Sequence, residues 1–196
     1  MTDTQARTRG ENVTENGQFR RMDESTAEQW AKIGQATSKS QGRVAERVLM
    51  LLRSLSDITD GFSTDQLTHC LQTATLAERA GADDQVVVAA LCHDIGKAIS
   101  VPNHPLIGAE ILRPYVRTEI YEMIRVHQDF QGRHYYGHFG GDTDAREQYR
   151  DEPWFALTAQ FADEWDQVAF DPEYDTLPLE HFEAKVRAVF ATPSFF

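Results

Sequence analysis

His93 and Asp94 stand side by side in ALCHDIGKAISVPNH, residues 90–104, at the end of the apolar run VVVAAL. An imidazole next to a carboxylate, with Lys97 and His104 close behind, is more than an apolar core requires and is what a metal site requires. Neighbouring helix residues point about 100° apart, so two adjacent ligands fit one site only where a helix ends. Ile95-Gly96 supplies that ending. Asp94 can then bridge two metals while His93 binds one.

The other candidates come at long, regular intervals. His69 precedes His93 by 24 residues, His104 follows Asp94 by ten, and His127 follows His104 by 23. Asp163 lies in FADEWD among apolar residues, where an unpaired carboxylate would be costly to bury. Asp166 is the alternative. Four histidines and two aspartates from five segments can enclose two metals. Imidazole with carboxylate suits iron, manganese or zinc better than magnesium alone. The two cysteines, Cys70 and Cys92, form neither a thiolate cluster nor a disulfide framework and read as small buried apolar residues.

Helices must carry these residues. Apolar positions Val44, Val48, Leu51, Leu52 and Leu55 follow helical spacing. TDQLTHCLQTATLAERAG reads as a helix closed by Gly81, and DQVVVAALCHDIG as another capped by Asp83 or Asp84. HPLIGAEILRPYV, limited by Pro114, RTEIYEMIRVHQDF, PWFALTAQFADEWDQVAF and LEHFEAKVRAVF add four more. Ser25 with Glu28 fits a capping box for an earlier helix. ITDGFS breaks the chain, and QGRHYYGHFGGDTDA reads as an irregular functional loop. The expected fold is all-α, a single-domain bundle of about eight helices spanning residues 22–196 behind a disordered tail, residues 1–21.

The net charge of −12 argues against a nucleic-acid binder or a protein held on anionic lipid, since both need a basic face. No apolar run reaches the roughly 20 residues that span a bilayer, and the N-terminus carries no apolar signal core. A cytoplasmic protein acting on a small molecule is the expectation.

His69-x-x-Gln72-Thr73-Ala74, then His93-Asp94-Ile95-Gly96-Lys97, two spaced histidines and Ala162-Asp163 together resemble the HD-domain superfamily over residues 65–166. The resemblance implies an HD-type bundle with a dinuclear site at its core, held by His69, His93, Asp94, His104, His127 and Asp163. Two branches of the superfamily meet here. One hydrolyses phosphate esters and nucleotides with manganese, cobalt or zinc. The other consists of oxygenases with a mixed-valent Fe(II)/Fe(III) pair, including myo-inositol oxygenase and the phosphonate-cleaving oxygenases. The HxxQTA and HDIGK motifs and the 24- and 23-residue spacings are similar to the second branch. That resemblance implies a diiron oxygenase using O2 on a small anionic or polyhydroxylated substrate, with a metal-dependent phosphohydrolase as the alternative and a catalytically silent scaffold as a third reading. It makes Asp94 and Lys97 catalytic and Lys97 a substrate contact. Gln131, Arg133 and His134 are further substrate-binding candidates, because arginine suits bidentate anion recognition and Gln131 follows His127 by four residues. Tyr135 and Tyr136 can line a pocket. Where phosphonate-cleaving members carry a Tyr/Glu pair upstream of the first histidine, this chain reads ITDGFSTDQ.

Overall fold

The computed structural model describes Thr14 and residues 18–194. Most of the expected tail, residues 1–21, lies outside the described residues. The chain divides at Val44/Ala45 into two compact units. No helix of the described residues is long and apolar enough to cross a membrane. They form eight α-helices joined by turns, with no extended strand among them.

The described part of the first unit is built on α1 (Ala27–Gln41). Its capping box is Thr26 with Gln29, not Ser25 with Glu28 as the sequence suggested. Ser25 instead accepts a hydrogen bond from the Trp30 indole and donates to the Met22 carbonyl. No residue of α1 is buried.

In the second unit α2 (Val44–Ser54) buries Ala45, Val48, Leu49 and Leu52, a stripe at three- and four-residue spacing. The next helix, α3 (Gln66–Arg79), starts where Asp65 accepts from the Thr68 amide. It stops at Gly81, whose φ of 82° lets the Ala82 amide turn back to the Ala77 carbonyl. Asp83 caps α4 (Asp84–Cys92) through the Gln85 and Val86 amides. Every residue from Val86 to Cys92 is buried, so α4 is the central rod of the core, covered by α3, α6 and α8. This explains its lack of amphipathic period: a helix buried all round has no polar face.

Helix α5 (His104–Leu112) ends two residues before Pro114 and packs against α6 (Thr118–Gln131). After a run of 3-10 turns, α7 (Phe155–Gln160) continues directly into a π-helical segment, Phe161–Asp166, that lies against α3 and α6. Helix α8 (Leu179–Val189) closes the unit. Phe130, Phe161 and Phe182 are fully buried between these layers. Truncating any one of them to alanine would cost about 3–5 kcal/mol.

Candidate metal centre

Each of the four histidines is turned the same way. His69, on α3, donates its Nδ1 proton to the Ala169 carbonyl at 2.9 Å. His93, at the end of α4, donates to Ala90 at 2.8 Å. His104 and His127 donate to Val101 and Ile124, both at 2.7 Å. Metal-bound histidines are oriented in this way, with one ring nitrogen committed to a carbonyl and the other left as a bare lone pair. Here all four Nε2 atoms point into one buried volume.

Asp94 sits at its centre, 2% exposed. Its backbone, at φ −99° and ψ 7°, leaves the helical region just as α4 ends, so the His93 and Asp94 side chains converge. The two carboxylate oxygens are divided between the imidazoles. Oδ2 lies 3.3 Å from His93 Nε2 and 3.5 Å from His69 Nε2. Oδ1 lies 3.0 Å from His104 Nε2 and 3.6 Å from His127 Nε2. Asp166 completes the first group, with Oδ1 3.2 Å from His69 Nε2 and 3.5 Å from His93 Nε2.

The electrostatics favour a cation here. His69 Nε2 and His93 Nε2 face each other at 3.1 Å, although both Nδ1 protons are already committed. Asp94 Oδ1 and Asp166 Oδ2 are buried without a hydrogen-bond partner. Such orphans are expensive. Without metal, a proton takes the cation's place. Burial opposes charge on His93, but the Asp94 and Asp166 carboxylates outweigh it and push the imidazole up to about 10. Burial alone would also raise the two acids; the surrounding imidazoles hold both well below the usual carboxylate range. For His127 burial wins, and its pKa is lowered. Two overlapping groups therefore have the chemistry of metal sites: His69, His93 and Asp166, and His93, Asp94 and His127. Four imidazoles and two carboxylates fit divalent transition metals.

Of the two aspartates the sequence offers, Asp166 lies in the cluster and Asp163, the expected ligand, lies outside it. Asp163 follows buried Ala162 directly, so its side chain leaves the helix in another direction. It accepts from Arg146 Nη1 at 2.9 Å and from His134 Nε2 at 2.9 Å. Asp166 lies four residues after Ala162, back on the face of Thr158, Ala162 and Ala169. That spacing was the signal available in the sequence.

Lys97 Nζ lies 2.6 Å from Asp94 Oδ2 and donates to Gln66 Oε1 at 2.9 Å. A cavity of about 680 Å³ opens beside it, lined by Lys97, His104, Gln131 and His134 at one side. Gln131 Nε2 also donates to Asp166 Oδ1 at 3.1 Å. Arg133 is exposed and is not among the lining residues, so it is not brought to this cavity. Tyr135 lines it; Tyr136 instead covers Gly132, where a side chain would collide with its ring. His138, exposed, is also in the lining, and His181 pairs with Glu78 at 2.6 Å.

Gln72, read only as part of a motif, clamps the far wall. Its Nε2 donates to the Asp171 carbonyl at 2.6 Å, and its Oε1 accepts from the Asp171 amide at 3.2 Å. That fixes the segment whose Ala169 carbonyl orients His69.

A family model for the HD domain matches residues 67–171, more than half of the chain and all six clustered residues. The chain belongs to the HD domain family. No curated protein matches it significantly. The family comprises metal-dependent hydrolases and some oxygenases, and the histidine–aspartate cluster of this HD domain is compatible with metal binding.

Proposed function

We propose that this HD-domain protein is a dinuclear non-haem iron oxygenase acting on a small hydroxylated substrate. The observation that carries the dinuclear reading is Asp94, whose two oxygens each face a separate pair of imidazole lone pairs. His69, His93 and Asp166 would hold one iron, and His104 and His127 the other, with Asp94 between them. An iron pair supplies the one-electron and dioxygen chemistry that side chains lack.

The donor set, rich in imidazole and without thiolate, suits iron as it does manganese or zinc; the cavity is what favours oxygenase over phosphohydrolase. Lys97 is the one lysine or arginine among the cavity-lining residues, whereas phosphoryl transfer gathers several cations around the charge it spreads. The protein's own part is placement. Lys97, fixed by Gln66 and Asp94, offers one positive charge to an anionic group of the substrate. Gln131 holds Asp166 while presenting its amide to the same cavity. Burial of the cluster keeps bulk water from the reacting carbon.

The test is electron paramagnetic resonance on protein loaded anaerobically with ferrous iron and briefly exposed to air, with oxygen uptake followed in parallel. A spin-coupled mixed-valent signal that changes on adding hydroxylated compounds is expected. Full iron occupancy without coupling, together with cleavage of bis(p-nitrophenyl) phosphate in manganese, cobalt or zinc, would replace this reading with the phosphohydrolase.

A further inference from the structure

The segment ITDGFS does more than break the chain. Asp60 (φ 47°) and Gly61 (φ 84°) are consecutive left-handed residues, a conformation glycine takes freely and aspartate only at some cost. The turn closes when the Phe62 amide donates to the Thr59 carbonyl at 2.9 Å, and Ser63 Oγ donates to the Phe170 carbonyl. Both Asp60 and Phe62 are thereby set into the cavity wall.

An aromatic stack results. The Phe62 and Phe170 rings lie 4.8 Å apart at 16°, and Phe170 lies 4.2 Å from the His69 ring at 10°. The stack leads from the surface to a member of the histidine cluster. Phe62 remains 49% exposed and Phe139 83% exposed, and with Phe170 and Tyr135 they line one cavity. Single exposed apolar residues are ordinary, but four aromatic rings around one concavity mark a ligand site. Three of the polar lining groups gather at the cluster: Lys97 and His104 against Asp94, Gln131 against Asp166.

We infer that the substrate is a small anion with a hydroxylated, chelating head directed to Lys97 and the cluster and a flat aromatic ring as its body, lying against Phe62. The cavity volume of about 680 Å³ accommodates such a ring, whereas a methyl-sized body would leave the aromatic wall wet. This rests on the reading that the cluster holds metal and takes a hydroxylated substrate.

The experiment is calorimetric titration of the whole protein loaded with manganese(II), its metal content measured beforehand, with mandelate, lactate and hexahydromandelate. The three share one α-hydroxycarboxylate head and differ in body: phenyl, methyl and saturated ring. Mandelate should bind at least about ten-fold more tightly than lactate and more tightly than hexahydromandelate. Phe62→Ala should bring mandelate to within about two-fold of lactate and leave lactate unchanged, while Phe62→Tyr keeps the preference. Equal affinity for mandelate and lactate, equal affinity for the two rings, or an unaltered preference in Phe62→Ala would each overturn the inference. So would the failure of all three to bind metal-loaded protein. The metal-site reading is judged separately, by the metal content alone.

Discussion

At the level of single residues, the cluster is defined by what each side chain has already given away. Four Nδ1 protons go to main-chain carbonyls, so four Nε2 atoms and two carboxylates share one buried space. Asp163 and Asp166 make the sharpest comparison because they differ only in helical phase. Asp166→Asn should remove at least one equivalent of bound metal, and Asp163→Asn none, in metal analysis of purified protein; metal loss only in Asp163→Asn would sink the ligand set argued above. Asp163 has a different task, tying the loop that carries Arg146 and His134. Burial pushes its carboxyl up, and Arg146 and His134 outweigh burial, so it is held below the ordinary 3.8. A depressed folded-state value stabilises the latch at pH above the ordinary value and loses that stabilisation as pH falls through the lower one. Amides of residues 145–149 should therefore exchange faster in Asp163→Asn than in the wild type at pH 7 and still at pH 5, with the difference disappearing only below about pH 4. A difference already gone at pH 5 would mean that the carboxylate is not held down. The residue types and most of the cluster were legible in the sequence. The phase of Asp163 was not, because an apolar neighbour in sequence does not mean shared burial: the next residue on a helix lies on another face.

Among the elements, α4 delivers His93 and Asp94, and close backbone approaches bring α5 to meet them. A Cβ on Gly96 would fall on the His104 carbonyl oxygen and within 2.7 Å of its Cα. A Cβ on Gly108 would lie 2.8 Å from the His93 carbonyl oxygen. These neighbours are main chain and cannot swing aside, so two glycines set the distance between the two halves of the cluster. Gly96→Ala should destabilise the fold by about 1–3 kcal/mol, the usual result of forced overpacking, and should displace His104. Thermal melts would read the first effect. Metal analysis would read the second: under the proposed two-metal arrangement, the equivalent assigned to His104 and His127 should be lost and the one assigned to His69, His93 and Asp166 retained. Unchanged occupancy and melting would mean that α5 is free to move. Helices α3 and α4 were legible because their caps, Asp65, Gly81 and Asp83, are local chemistry. The π-helical segment Phe161–Asp166 was not, since α- and π-helical turns share the same residue preferences and are told apart by packing against α3 and α6. The turn at Asp60-Gly61 announced only a break; its placement of Phe62 depends on Phe170, more than 100 residues away in sequence.

For the molecule as a whole, the cluster is a charge problem placed inside an apolar core. The chain as a whole carries a net charge of −12, while α4, buried from Val86 to Cys92, runs straight into the Asp94 carboxylate, which meets that of Asp166 across the imidazoles. Without a metal, the two carboxylates favour a proton on His93, and Lys97 lies against Asp94. A divalent cation does the same work with more charge and satisfies the lone pairs that a single proton leaves facing one another. Metal binding must then be coupled to folding, because the unfolded chain scatters six ligands over nearly 100 residues. At a free-metal concentration about 100 times the dissociation constant, that linkage adds about 2.7 kcal/mol to stability. For a unit of this size it raises the melting temperature by about 5–10 °C. Melting curves of the full chain in chelator, and again after titrating manganese(II) or anaerobic iron(II), should separate by that interval. His69→Ala should narrow the interval, since it removes a ligand and leaves Asp166 with fewer imidazoles to balance it. Superimposable curves with and without chelator, on protein free of metal at the start, would mean that the cluster folds around its protons alone and that the metal reading of this core is wrong.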